Sequence, residues 1–555
     1  MIEQNFIKLF ENSFRQNWDL PAYSDYSKGE TFTYGQAATQ IAKLHLLFDK
    51  INIKQGDKIA LIGQNTPHWT ITYVATVTYG AVIVPILQDF NANDVHHIVN
   101  HSDSTLLFCS DRIWDNLEEE KMDQLTAVFS LDDYRCIYQK DGAGIQKIML
   151  GINDDFNAKY PEGFKPADIK YAERENSELA MISYTSGTTG FSKGVLISGN
   201  ALAGNVTFGI RTHLLEKGDR VLTFLPLAHA YGMAFDFLTA TCAGAHTNLL
   251  NKIPSPKVLI KAFQDVKPSV IFTVPLILEK IYRKQIQPML NKMPMKLALS
   301  IPMVDSTIYK QINKKLTEAF GGEFKEVIIG GAPMNKEIEE FFRKIGFRFT
   351  VGYGMTECAP LISYAPWNEF KPYSAGKILD IMEAKIDSAN PEEEVGEILV
   401  RGENLMSGYY KNPEATEAVI DEDGWMHTGD MGILDKDNNL YIKGRCKTMI
   451  LGANGQNIYP EEIEAKLNNM PFVMESLVIE KDSKLIALVY PDYEAVDAAS
   501  MNNDALALIM EENRKELNKE VASYEAVTKI ILYPNEFEKT PKRSIKRFLY
   551  TNYAG

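Results

Sequence analysis

The sequence predicts an α/β protein: a large N-terminal domain of parallel-type α/β layers carrying a small β subdomain, followed by a small mobile α+β C-terminal domain. Three observations lead there. Short apolar, β-rich runs alternate with helix-like stretches between about residues 33 and 250, the pattern of parallel strands joined by helical crossovers. From Glu394 the text changes to short strands joined by Asp, Asn and Gly turns, in EVGEILVRG and GWMHTGDMGILDKDNNLYIKGR. After Arg445 about one hundred residues follow a plan of their own, enough for a separate domain.

Taken in order, the strands of the first region fall at Lys58–Ile62 (KIALI), 81–86 (AVIVPI), 105–109 (TLLFC), 181–184 and 221–225. The pattern resumes at 269–274, 326–329 and 348–351, and the β subdomain occupies about 390–446. The boundary is set at 446/447, giving domains 1–446 and 447–555. The second domain reads as strand TMILG, a helix at 460–468, strands at 475–480 and 485–490, a charged helix near 504–521 and a strand at 528–533.

A length of 555 residues sets a soft prior of three or four structural units. With 45% hydrophobic and 24% charged residues the chain can bury a sizeable core, which excludes general disorder. Lys+Arg number 58 against 73 Asp+Glu, a net charge of -15 that excludes nucleic acid as a partner of the whole surface. Any phosphate must therefore be met by a local cluster. The five cysteines stand at least 27 residues apart, so no close thiol pair forms a redox or zinc site, and they read as reduced thiols of a cytoplasmic protein. The start MIEQNFIKLFENSFRQ lacks the apolar core of a secretory signal, and VATVTYGAVIVPIL at 74–87 is too short to span a bilayer. Peripheral contact at the inner face of the membrane stays open, as does oligomerisation.

The sharpest segment is MISYTSGTTGFSKGV at 181–195, an apolar strand running into a loop of glycines, hydroxyls and one lysine. Freed backbone N–H groups, Thr and Ser hydroxyls and a Lys charge cradle a polyphosphate. The loop fails G-x-x-x-x-G-K-[ST], because Ser192 stands five after Gly187 and Gly194 follows Lys193. Gly190 to Gly194 does satisfy G-x-S-x-G, which leaves a serine hydrolase using Ser192 as a remote alternative. An elbow of that kind needs a helix directly after its serine, whereas VLIS is strand-like.

YTSGTTGFSKG resembles the phosphate loop of the adenylate-forming superfamily of acyl-CoA synthetases, luciferases and peptide-synthetase adenylation domains. That family's other motifs recur in order: LPLAHAYG at 225–232, GGAP at 330–333, GYGMTE at 352–357, TGDMG at 428–432, Gly444-Arg445 in a hinge segment, NIYPEEIE at 457–464 and a Lys-bearing tail. The resemblance implies that Thr185, Ser186, Gly187, Thr188, Thr189, Gly190 and Lys193 hold the phosphates of ATP, and that Gly330, Gly331 and Ala332 admit adenine. Within Gly352, Tyr353, Gly354, Met355, Thr356 and Glu357 it implies stacking of the tyrosine on adenine, threonine contact with the α-phosphate, and Mg²⁺ on Glu357 with Thr185. Asp430 and Arg445 would take the ribose, with Ile442 beside them, and Lys447 would be the hinge.

The tail EKTPKRSIKRFLY at 538–550 carries Lys539, Lys542, Arg543, Lys546 and Arg547, which alone would suggest a nucleic-acid or membrane patch. Its T-P-x-x-x-x-K-R spacing resembles the catalytic segment of long-chain acyl-CoA synthetases and points to Lys546, although Ile545 replaces the commoner glycine and leaves Lys542 as the competing choice. A lone His in an apolar run is usually a core residue, but the resemblance implies that His229 lies between acyl pocket and thiol tunnel. His97 and His101, at i and i+4, read as an exposed helix face rather than a metal site.

The implied reaction has two halves: ATP adenylates a carboxylate with release of pyrophosphate, then the C-terminal domain rotates about Lys447, withdrawing catalytic Lys546 so that a thiol takes the acyl group. Implied cofactors are ATP and Mg²⁺, with CoA as co-substrate. Counting back from Gly244-Ala245 puts the residue that would pair with a substrate ammonium at Tyr231, with Asp236 five residues away. A neutral pocket there, and the likeness of VPLILEKIYRK at 274–284 to bacterial long-chain ligases, imply a medium- or long-chain fatty acid. An aromatic acid, or an acyl-carrier protein as acceptor, stays open.

Overall fold

The computed structural model describes residues 1–555 except 186–191, 253, 300, 302–303, 452–455, 482–483, 541–543, 552 and 554–555, and the side chains of 296 and 297. Lys58–Ile62 lies near the middle of an eight-stranded sheet, parallel to Val82–Ile86 on one side and Ser104–Cys109 on the other. Val82–Ile86 is buried at every position, which is why it reads as an unbroken apolar run rather than an alternating one. Helix Pro67–Tyr79 begins on a Thr66 cap with proline at its first turn and ends at Gly80 in the left-handed region, φ 88°. It is buried on all sides although threonine-rich, because Thr72, Thr76 and Thr78 return their hydroxyls to the carbonyls of His68, Thr72 and Val74.

The segment 181–184 extends to Leu179–Thr185 and turns into an antiparallel hairpin with Lys193–Ser198, whose outer edge takes Gly408–Tyr409. The strand expected at 221–225 belongs to a different sheet, ordered Arg220–Thr223, His246–Leu249, Pro21–Asp25, Glu30–Thr33. A third sheet is wholly parallel: Ile271–Thr273, Val327–Ile329, Phe349–Val351. The turn-rich region forms an antiparallel sheet of Met382–Asp387, Gly396–Gly402, Met426–Leu434 and Leu440–Arg445.

Beyond residue 446, strands Val473–Lys481, Lys484–Pro491 and Val527–Leu532 form one sheet, while TMILG contracts to Ile450–Leu451 paired with Asn457–Ile458. Strand alternation divides that sheet's core: Val478, Ala487 and Val489 pack with Ile463 and Leu517, whereas Leu477 and Leu488 pack with Phe537 and Tyr550. This unit meets the rest of the chain at a polar contact. Arg283, on the π-helical turn Tyr282–Ile286, donates to Asn468 O (2.5 Å) and Asn469 Oδ1 (2.9 Å). The Asn335 and Asn469 amides bond reciprocally at 2.7 and 3.1 Å, and Lys284 pairs with Glu494 at 2.9 Å. Among the described residues no helix is long and apolar enough to cross a membrane.

Candidate active site

The parallel sheet ends at the loops that matter. Gly330 and Gly352 leave the strands Val327–Ile329 and Phe349–Val351, their N–H groups bonded to Thr273 O (3.0 Å) and Ile329 O (2.9 Å). A crevice at the carboxyl ends of parallel strands is where α/β sheets bind ligands. Here it holds a cleft of about 580 Å³, walled on one side by Gly330, Gly331 and the run Gly352–Thr356. Gly354 tolerates no side chain: a Cβ would stand 2.3 Å from Pro360 O. Gly331, at φ +84°, needs glycine for its backbone conformation. Ala332 is exposed beyond the cleft lining.

Strand pairing brings Asp430 directly opposite Arg445. Arg445 Nε lies 3.1 Å from Asp430 Oδ1, and the Tyr353 hydroxyl donates to Asp430 Oδ2 at 2.7 Å. Tyr353 lines the cleft, and through its hydroxyl Asp430 and Arg445 form one cluster with it. Burial pushes the Asp430 carboxyl above its ordinary range, opposed by the Arg445 charge and the tyrosine hydrogen bond. Burial, and then the Asp430 charge, push the Tyr353 hydroxyl well up. Ile442 is half-buried on the same sheet, opposite Gly432, and Lys447 is exposed.

On the phosphate side Thr185 stands opposite Lys193 at the mouth of the hairpin. Ser186, Gly187, Thr188, Thr189 and Gly190 lie outside the described residues. Ser192 leads straight into strand Lys193–Ser198, so the helix that a nucleophile elbow requires is absent at this serine. Glu357 sits on the short turn Thr356–Cys358, and its Oε1 accepts from the Tyr409 hydroxyl at 3.0 Å. Lys193 Nζ lies 4.8 Å from the centre of the Tyr409 ring. Sequence reasoning missed Tyr409, whose only signal was a Gly-Tyr-Tyr turn. The second oxygen of Glu357 has no protein hydrogen bond among the described residues, and no group of three or more His, Cys, Asp or Glu forms a metal cage there. A single half-buried carboxylate with one oxygen to spare fits Mg²⁺, which takes one or two carboxylates and completes its shell with water and phosphate oxygens.

The rest of the lining is largely apolar: Phe208, Leu214, Phe235, Phe272 and Leu361, with Tyr231 and Tyr364. Phe235 and Phe272 stack at 5.8 Å, and the Tyr231 hydroxyl is spent on Ile328 O at 3.0 Å. His229 lines the cleft and caps the turn at Tyr231 N, 3.4 Å away. Asp236 does not reach the cleft. It is buried in the π-helical turn Met233–Thr239, and burial drives its carboxyl well above the ordinary range. No acidic side chain lines the cleft among the described residues.

Lys546 is not brought to the cleft, whose described lining spans residues 208 to 364. It pairs with Glu538 at 3.6 Å, while Lys539 meets Glu475 and Arg547 meets Glu464 and Glu461. These tail cations are thus committed to carboxylates of their own unit; Lys542 and Arg543 lie outside the described residues. The expected exposed histidine face is corrected: His96 is buried and accepts from Glu118 N, and His101 Nδ1 shares a hydrogen bond with the Tyr184 hydroxyl at 2.8 Å. His101 thereby docks onto the strand Leu179–Thr185 that leads to the phosphate loop, and His97 is half-buried.

Comparison with known proteins bears on the family and the fold. The chain is 27% identical over 586 aligned residues to the long-chain-fatty-acid–CoA ligase FadD15 of Mycobacterium bovis, covering 96% of this chain and 93% of the relative. It is 27% identical to long-chain-fatty-acid–CoA ligase 5 of Rattus norvegicus, over 87% of this chain and 76% of that one. Its fold matches the anthranilate CoA ligase AuaEII crystallised with anthranoyl-AMP, at TM-score 0.79 and 18% identity over 98% and 96% of the two chains. It also matches ATP-bound MatB from Rhodopseudomonas palustris, at TM-score 0.76 and 22% identity over 99% of each. The family model described as AMP-binding enzyme matches residues 10–410, and the chain belongs to that family.

Proposed function

We propose that this protein is an AMP-forming acid–thiol ligase that adenylates a medium- or long-chain fatty acid and passes the acyl group to CoA. The observation that carries the reading is one cleft with two kinds of lining: glycine loops with Tyr353, which is bonded to the Asp430–Arg445 pair, and aromatic and aliphatic side chains without a carboxylate. The first suits a nucleotide and the second an apolar acid. Asp430 offers two acceptor oxygens to the ribose hydroxyls, with Arg445 holding it ionised. Glu357 and Thr185 would hold Mg²⁺, which supplies charge neutralisation at the phosphates. Phosphoryl chemistry leaves the protein little covalent work, so positioning by the glycine loop and charge from Lys193 and Lys546 carry the step.

In the orientation described here Lys546 is paired with Glu538 rather than lining the cleft, which suits the thiol-transfer half of the cycle. Rotation about Lys447, between domains 1–446 and 447–555, would bring Lys546 in for adenylation. Five free cysteines support a cytoplasmic location. Assay of pyrophosphate release against a panel of carboxylic acids, with and without CoA, tests the reading. Fatty acids should support ATP-dependent release and CoA thioester formation, and Lys546→Ala should lower the adenylation rate by about 100-fold or more while leaving thioester formation from supplied acyl-adenylate. Acid-independent turnover, or activity without ATP, would overturn it.

A further inference from the structure

Tyr409 stands between two groups that the ligase reading assigns to different parts of ATP. It ends the edge strand Gly408–Tyr409, opposite Val195, with its N–H donated to Thr416 Oγ1 at 2.9 Å. Its backbone is therefore tied to the strand that begins with Lys193. Its hydroxyl donates to Glu357 Oε1, 52 residues earlier in the chain, while its ring face receives Lys193 Nζ. Met406 N also donates to Glu357 O at 2.8 Å, so the segment holds both the backbone and the side chain of the glutamate.

We propose that Tyr409 is a positioning residue that couples the metal-binding carboxylate to the phosphate-loop lysine. The hydroxyl occupies one oxygen of Glu357 and so restricts the orientation of the other. A carboxylate held by an outer hydrogen bond loses less freedom when it binds a metal, and outer partners of this kind tune metal affinity by 10- to 100-fold. The ring attracts the Lys193 ammonium through its negative face and keeps that charge at the mouth of the phosphate loop. One side chain thus sets the distance between the site for the metal and the cation, and both must meet the same phosphates. The proposal rests on the ligase reading, because it takes Mg²⁺ and ATP as the occupants.

The test is calorimetric titration of the full-length protein with ATP at a series of Mg²⁺ concentrations, a binding measurement independent of turnover. Tyr409→Phe keeps the ring and removes the hydroxyl. It should raise the Mg²⁺ concentration for half-maximal enhancement of ATP binding by about tenfold while leaving metal-free ATP affinity and the melting temperature at wild-type values. Tyr409→Leu removes the ring as well and should also weaken metal-free ATP binding. In a Glu357→Gln background Tyr409→Phe should have no further effect on the Mg²⁺ dependence, because the carboxylate that Tyr409 orients toward the metal is already lost. A Tyr409→Phe protein with wild-type Mg²⁺ dependence, or one whose defect is undiminished in Glu357→Gln, overturns the proposal alone. A wild-type protein that binds no ATP, or binds it without regard to Mg²⁺, overturns the ligase reading beneath it.

Discussion

Asp430 is buried, bonded to Tyr353 and held against Arg445, so its charge state is set by a contest between desolvation and one guanidinium. Burial raises its proton affinity and Arg445 lowers it. Under the ligase reading only the ionised carboxylate would accept from both ribose hydroxyls, so nucleotide affinity should fall as pH drops through a range lying above that of an ordinary aspartate. Arg445→Ala removes the lowering influence and should move this acid limb to higher pH, read as ATP affinity against pH; an unmoved limb would refute the assignment. Asp430, Tyr353, Arg445 and Glu357 were legible in the sequence through the short motifs that carry the family resemblance; in the structure the first three stand on strands and Glu357 on a short turn. Tyr409 was not legible, since its meaning lies in partners brought to it by a sheet edge. Asp236 was ambiguous for the converse reason: a charge within an apolar run does not announce whether it faces a cleft or a core.

Whole elements were read best where burial is simplest. Lys58–Ile62 and its neighbours are covered on both faces, so composition alone marks them, whereas Glu30–Thr33 is an edge strand on Pro21–Asp25, and Pro21–Asp25 pairs with His246–Leu249 across more than two hundred residues. Helix Tyr34–Lys50 illustrates a cost carried inside an element. Its His45 bonds to Ala75 O at 2.9 Å and to the Thr78 hydroxyl at 3.1 Å, and burial lowers its pKa to about 4. The unfolded chain takes up that proton near the ordinary histidine value, so the native state binds fewer protons between pH 6.5 and about 4. Stability supplied above pH 6.5 is lost as pH falls through this window, by about 2 kcal/mol for a partly exposed ring. His45→Gln keeps a donor for the carbonyl and should flatten that loss, measured as denaturant midpoints from pH 7 to pH 4; an equally steep decline would show that other groups control it.

At the scale of the molecule, the contact of Arg283 and Asn335 with Asn468 and Asn469 holds the C-terminal unit where Lys546 stays off the cleft lining. Under the ligase reading this orientation serves thiol transfer. Hydrogen bonds of this kind contribute about 1 kcal/mol each, so removing the two that Arg283 donates should cost roughly 30-fold in the docked population. Arg283→Ala should therefore slow thioester formation by about 30-fold while acid-dependent pyrophosphate exchange is kept; equal losses in both would place the contact outside the cycle. Nothing in the sequence marked this contact, because asparagines in loops are ordinary and only the fold sets two of them face to face. Its chemistry has a further consequence. The acceptors of Arg283 are a neutral amide and a carbonyl, and the asparagine pair is uncharged, so added salt acts on this contact chiefly through the exposed Lys284–Glu494 pair, a kind of pair worth little. Under the ligase reading, nucleotide capture by Lys193, Arg445 and Mg²⁺ would be screened throughout. A salt titration should thus weaken the first encounter with ATP more steeply than it shifts the rotation.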